Sequence, residues 1–165
     1  MLFRHEIVNL FQPVLEKLKI VEERKEIILY FSDRDGEFLI GEKRKIGKRI
    51  GVKEEAKEVI HELIKGPKGK LIPTLPPQTK CLNLKVDENG VAIVNFNKAL
   101  SKDHPGGSSA EIMTTYSIVN SLTLNFSQIK QVQILIEGKT IETISGHLSL
   151  KQPIHSNPNL IKRQQ

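Results

Sequence analysis

The sequence predicts an α/β (α+β) fold: a single two-layer domain in which a mixed β-sheet carries two main helices packed on one face. Three observations lead there. Stretches with the two-residue period of strands and the 3.6-residue period of helices follow one another in the order ββαββαββ. The joints carry turn or helix-stop chemistry, as at Asp87-Glu88-Asn89-Gly90 and Lys65-Gly66-Pro67. The inner β-α-β-β-α-β order is that of a split βαβ unit, which sets both helices on the same side of the sheet.

The chain divides into an amphipathic lead-in over 1–25, a domain over 26–154 and a polar tail over 155–165. In the lead-in, Ile7, Leu10, Phe11, Val14, Leu15 and Leu18 form a one-sided stripe that Pro13 would kink, as in a docking helix or a helix lying on a membrane surface. Glu26 to Phe31 is a continuous apolar run suited to a buried strand. The turn Asp33-Arg34-Asp35-Gly36 leads into a second strand over 38–46, which becomes basic at Lys43, Arg44 and Lys45. Lys48, Arg49 and Lys53 extend that charge.

The clearest helix spans 53–65, where Ala56, Val59, Ile60, Leu63 and Ile64 share one face. His61 beside them reads as a solvated histidine. A loop with four prolines follows over 66–79, with Leu71, Ile72 and Leu75 expected to pin it to the core. Leu82, Leu84 and Val86 alternate in a strand, and 91–96 returns as its hairpin partner. After a loop over 97–109 a serine is expected to cap the second helix, with Glu111 at its positive end. That helix runs to about Leu124, with Ala110, Met113, Tyr116, Val119 or Asn120, and Leu122 on its inner side. Val132, Ile134 and Ile136 alternate in the next strand, and a turn at Glu137-Gly138-Lys139 leads to a last strand over 140–144.

Composition narrows the function. Hydrophobic residues at 38%, charged residues at 27% and a mean hydropathy of −0.27 exclude collagen-like, membrane-spanning and wholly disordered chains. The absence of Trp and only 5% aromatics argue against a stacking platform for single-stranded nucleic acid. The net charge of +6 admits an anionic partner, whether membrane surface, cell-wall polymer or nucleic acid, without choosing among them. A single cysteine, Cys81, excludes an intrachain disulfide and reads as a small core hydrophobe. No apolar run has the length of a secretory signal or a membrane span.

No catalytic, cofactor or metal constellation is legible. Gly66-Pro67-Lys68-Gly69 has the spacing of a backbone-clamping loop, but prolines follow where a helix would have to start. Gly106-Gly107-Ser108-Ser109 lacks the lysine and the spacing of a phosphate loop. His104 and His147 are isolated, and Ser117 and Ser121 lack a nucleophile-elbow context, so a hydrolase would have to draw on His104, His147 or Cys81. The candidate contact surface is the basic segment Lys43, Arg44, Lys45, Lys48, Arg49 and Lys53, together with sheet edges. Asn120, inside a helix, is expected to bond to a sheet edge or loop backbone, and His147 to act as a hydrogen-bonding plug beside Gly146.

An ordered set of short motifs adds a resemblance. Ile28-Leu29-Tyr30-Phe31 precedes an acidic turn, and a helix ends in Leu63-Ile64-Lys65-Gly66-Pro67. Leu71-Ile72-Pro73 comes before Leu75-Pro76 and Thr79-Lys80, and Gly90-Val91-Ala92 before Val94-Asn95-Phe96. Gly106-Gly107-Ser108 opens a helix that contains the run from Tyr116 to Thr123, and the run from Val132 to Lys139 leads to Gly146-His147. From residue 26 to about 154 the chain resembles the GerMN domain, the sporulation and spore germination module of bacterial envelope proteins. The resemblance implies a non-catalytic, extracytoplasmic or lipid-anchored domain of the cell envelope, without cofactor, that contacts other envelope proteins or copies of itself. A domain for an anionic cell-wall polymer is the alternative, and no specific nucleic acid is expected. The sequence as written shows neither signal peptide nor lipobox, so membrane association would need an anchor it does not contain.

Overall fold

The computed structural model describes residues 23–163. The lead-in expected over 1–25 lies outside these residues except for its last three, of which Arg24 and Lys25 already belong to the first strand. β1 (Arg24–Ser32) and β2 (Leu39–Gly47) form an antiparallel hairpin. There follow α1 (Val52–Lys65), β3 (Cys81–Val86), β4 (Val91–Phe96), a short α2 (Ala99–Lys102) inside the expected loop, α3 (Ser108–Thr123) and β5 (Gln131–Ile136). The chain closes with β6 (Lys139–Thr140), β7 (Ile154–His155) and a 3-10 turn, Pro158–Leu160.

The fold class is the mixed α/β one expected, and its strands divide between two sheets. One is the β1-β2 hairpin, and the other has the order β3-β4-β5-β6 with β7 also on β5. β4 and β5 are parallel and in register from Val91↔Gln131 to Phe96↔Ile136, so the path through α3 is the crossover of a βαβ unit. Alternation on β4 and β5 sends Val94, Phe96, Val132 and Ile134 into a core shared with Val59, Ile60 and Leu63 of α1. Gly90 makes the β3–β4 turn with φ +78°, where any Cβ would lie 2.8 Å from the Gln128 carbonyl oxygen.

The hairpin stays a separate sheet because side chains, not a strand, saturate the outer edge of β1. Asn125, just past α3, accepts the Ile28 N–H at 3.0 Å and donates to the Ile28 carbonyl at 2.6 Å. Ser121 accepts the Tyr30 N–H at 3.1 Å, and the Ser117 hydroxyl donates to the Tyr30 carbonyl. Ile72 then exchanges two backbone hydrogen bonds with Ser32. Residues 117, 121 and 125 recur every four positions, so they stand in one row along the helix. This row of small polar side chains does for β1 what a neighbouring strand would do.

α3 is therefore buried almost all round rather than on one inner side. Besides Met113, Val119 and Leu122 it buries Glu111, Thr114, Thr115, Ser117 and Ser121. Its far side meets a second apolar cluster of Tyr30, Leu39 and Met113, against which Leu160 and Ile161 pack. The polar tail is accordingly laid onto the domain. Asn157 exchanges hydrogen bonds with the Asn120 amide at 2.9 and 3.1 Å, and the Lys162 N–H donates to the Leu39 carbonyl at 2.9 Å. Asn120 thus finds the loop backbone expected for it.

Candidate functional site

The basic segment does not form one free cationic surface. Alternation along β2 puts Arg44 on the inner face with Ile46, and Arg44 is buried. Its guanidinium donates to Glu62 at 2.8 Å and to the Gly66 carbonyl at 3.0 Å, and it also bonds Glu42. Glu42 in turn accepts the N–H groups of Lys68 and Gly69 at 3.1 Å. Burial opposes ionisation of Glu42 and Glu62, but these charged and backbone donors hold both carboxyls below the usual carboxylate range. Arg44 therefore fastens β2 to the end of α1, where its charge meets the negative helix terminus. It belongs to the framework and not to a contact surface.

The other members of the segment lie outside. Lys43 is exposed, with Glu26 at 3.6 Å. Lys48 pairs with Glu23 at 2.9 Å and Arg49 with Glu58 at 3.4 Å. Lys45 and Lys53 are exposed and have no ion-pair partner among the described residues. A shallow groove of about 310 Å³ lies along this side, lined by Arg24, Glu26, Lys43, Arg44, Lys45 and Lys68.

The outer edge of β2 bounds that groove. Ile28, Tyr30 and Ser32 turn their peptide groups away from β2, toward α3 and Ile72. In an antiparallel ladder their partners Lys43, Gly41 and Leu39 must also face outward, and alternation adds Lys45. Leu39 is occupied by the bridge to Ile161. The outward peptide groups of Gly41, Lys43 and Lys45 have no hydrogen-bond partner among the described residues.

A second concavity, about 540 Å³, opens at the other end of the hairpin between the 33–36 turn, the proline loop and the start of α3. Thr74 and Thr114 of its lining belong to a chain of hydrogen-bonded groups. The Gly106 N–H donates to His104 Nδ1 at 3.0 Å, which leaves Nε2–H to donate to Thr114 at 2.9 Å. Thr114 donates to the Thr74 carbonyl at 2.6 Å, and the Thr74 hydroxyl donates to the Ser117 hydroxyl oxygen at 2.6 Å. Burial pushes the His104 pKa down, so the ring is neutral and a donor where a general base would need to accept. Ser117 gives its own proton to a carbonyl. These groups hold the proline loop to α3 and do not pair a nucleophile with a base.

Other expected residues find structural places. Gly107, not a serine, sits at the N-cap of α3 with φ 87°, and no side chain caps the helix. Glu111 lies in the first turn of α3, at the positive end as expected, and is fully buried. Its carboxylate accepts the Ile144, Ser145 and His147 N–H groups at 2.8–3.1 Å and the Ser145 hydroxyl at 3.0 Å. Burial opposes its charge, but these four donors hold its carboxyl below the usual range. The strand expected over 140–144 is reduced to the two residues of β6, which end at Thr140, and further on the Ile144, Ser145 and His147 N–H groups turn inward to Glu111. The plug is Glu111, since His147 contributes its backbone and its side chain is exposed. Ile72 pins its loop through backbone bonds, with its side chain 43% exposed. Cys81 is half-buried against the core, its thiol pushed up by burial.

Gly41 on the edge and Arg24 and Lys68 on the groove lie outside the basic segment that the sequence marks. The polar row 117, 121, 125 carries a sequence signal, as a four-residue spacing inside an otherwise apolar helix.

A family model named Germane, described as sporulation and spore germination, matches residues 28–142. Among solved structures, a Clostridium perfringens protein described as a lipoprotein is 26% identical, with a TM-score of 0.59, covering 84% of this chain and 93% of that one. The first GerMN domain of the sporulation protein GerM from Bacillus subtilis is 21% identical, with a TM-score of 0.61, covering 81% and 96%. The tandem GerMN domains of the same protein are 20% identical, with a TM-score of 0.59, covering 82% of this chain and 46% of that one. No curated protein matches.

Proposed function

The chain belongs to the Germane, or GerMN, family of sporulation and spore germination, and on that premise we propose that it works as a non-catalytic module of the cell envelope. It makes contacts with other envelope proteins or with copies of itself, outside the cytoplasm. One observation carries this reading. The chemistry-bearing groups that the fold gathers (His104, Ser117, Glu111 and Arg44) are all committed to holding loops and strands, while among the described residues a backbone edge on β2 has no strand beside it. The lipoprotein relative supports the extracytoplasmic part. No helix among the described residues is long and apolar enough to cross a membrane.

The test is fractionation of the native gene product with sequencing of its mature N-terminus, followed by cross-linking in intact cells. Recovery outside the cytoplasm, with protein adducts, is the expected result. Recovery in the cytoplasm, or turnover of a substrate that His104→Ala abolishes, would overturn the reading.

The basic groove favours a second reading, an anionic cell-wall polymer held by Arg24, Lys43, Lys45 and Lys68. Such binding would weaken steeply between low and physiological salt, because exposed charges are screened.

A further inference from the structure

We infer that the open edge of β2 takes an extended acidic segment of a partner protein as an added strand, its carboxylates set against Lys43 and Lys45. This rests on the protein-contact reading above and names the place and the chemistry.

Gly41, Lys43 and Lys45 offer three outward peptide groups in a row, the pattern that strand addition uses. One position of the edge already carries a backbone contact, because Ile161 bridges Leu39 in parallel and the Lys162 N–H bonds its carbonyl. The vacant positions begin where that bridge stops. Charge then selects the occupant. Around these positions stand Arg24, Lys43, Lys45 and Lys68, with Glu26 as the one carboxylate among the described residues that line the groove. A second copy is disfavoured. Antiparallel self-pairing centred on Lys43 sets that lysine against its own copy, and like charges directly opposed destabilise a ladder. Edge lysines that deter self-pairing thus also attract a segment of opposite charge.

The experiment uses the full chain, labelled with nitrogen-15, and three blocked hexapeptides. One alternates glutamate and valine, one replaces glutamate by lysine, and one keeps glutamate but is N-methylated along one edge. Shifts at the Gly41, Lys43 and Lys45 amides with the first peptide alone are expected. Lys43→Glu/Lys45→Glu should weaken that binding at least about tenfold, roughly 1.4 kcal/mol. Lys43→Pro, which removes an outward N–H together with one of the two charges, should weaken it at least as much as loss of the charge alone. Equal binding of the methylated peptide would leave charge without strand pairing and overturn the inference. Equal binding of the lysine peptide, or no binding, would also overturn it.

A photo-cross-linker at Lys43 and another at exposed Leu82 on β3 separate this inference from the reading beneath it. Adducts at position 43 that map to an acidic segment of another protein support the inference. Adducts there to a second copy or to a glycopolymer overturn it. Adducts only at position 82 overturn the edge and leave the protein-contact reading standing, and none at either position overturns both.

Discussion

Ser121→Ala tests whether side chains of α3 replace a strand beside β1. Ser121 is fully buried, and its hydroxyl oxygen is the acceptor for the Tyr30 N–H at 3.1 Å. Removing it leaves a buried amide without a partner, at a cost of about 1–3 kcal/mol. Thr115 is the counter-case on the same helix. It is equally buried, but its hydroxyl has no hydrogen-bond partner among the described residues. Thr115→Val replaces that unpaired hydroxyl with a methyl group, so its expected effect is neutral or stabilising by up to about 1 kcal/mol. The two variants should differ by about 2 kcal/mol, or about 4–8 °C in Tm for a chain of this size. Urea unfolding followed by circular dichroism measures the difference, and hydrogen exchange at the Tyr30 amide locates it. If Ser121→Ala stays within about 0.5 kcal/mol of the parent, as surface substitutions do, or costs no more than Thr115→Val, the strand-substitute argument is wrong.

Arg44→Met strands two carboxylates, Glu42 and Glu62, and should cost about 3–5 kcal/mol in urea unfolding. Reversing exposed Lys45 should cost about 0.5 kcal/mol or less in the same assay. Glu111 has a carboxyl lowered in the fold relative to the unfolded value near 4.3. Its contribution is therefore fully present above about pH 4.3 and is lost as pH falls through the folded value, so Glu111→Gln should flatten the acid limb of a stability-against-pH curve. Gly90→Ala forces a positive φ and a 2.8 Å backbone contact, and an unfolding titration should show a loss of at least about 1–3 kcal/mol.

The parts legible in the sequence are those where one face differs from the other. α1 shows its stripe because only one side is buried, and β4 and β5 alternate because they cover a single core. α3 was harder, since two apolar clusters enclose it and its polar residues are spent on the edge of β1, so no stripe survives. Arg44 could have been separated from Lys43 and Lys45 by period-two alternation, because Ile40, Glu42, Arg44 and Ile46 share a face. Its charge hid that signal. Leu160 and Ile161 are two apolar residues in a polar tail, too few to announce that they pack onto Tyr30 and Leu39. The open edge is a property of what does not pair, and no local pattern encodes it.

The row of serines and asparagine on α3 also bears on the order of folding. The hydrogen bonds that close β1 join residues 87 to 97 positions apart, whereas β1 and β2 are neighbours in the chain. The hairpin meets β2 by closing a short loop, but its other side waits for a helix synthesised about a hundred residues later. Until that helix docks, the hairpin has two unsaturated sides rather than one, and an exposed strand margin of this kind recruits other chains. Variants at Ser117, Ser121 or Asn125 should therefore lower the yield of soluble protein by more than their equilibrium cost, because they prolong the interval in which the nascent hairpin is unguarded.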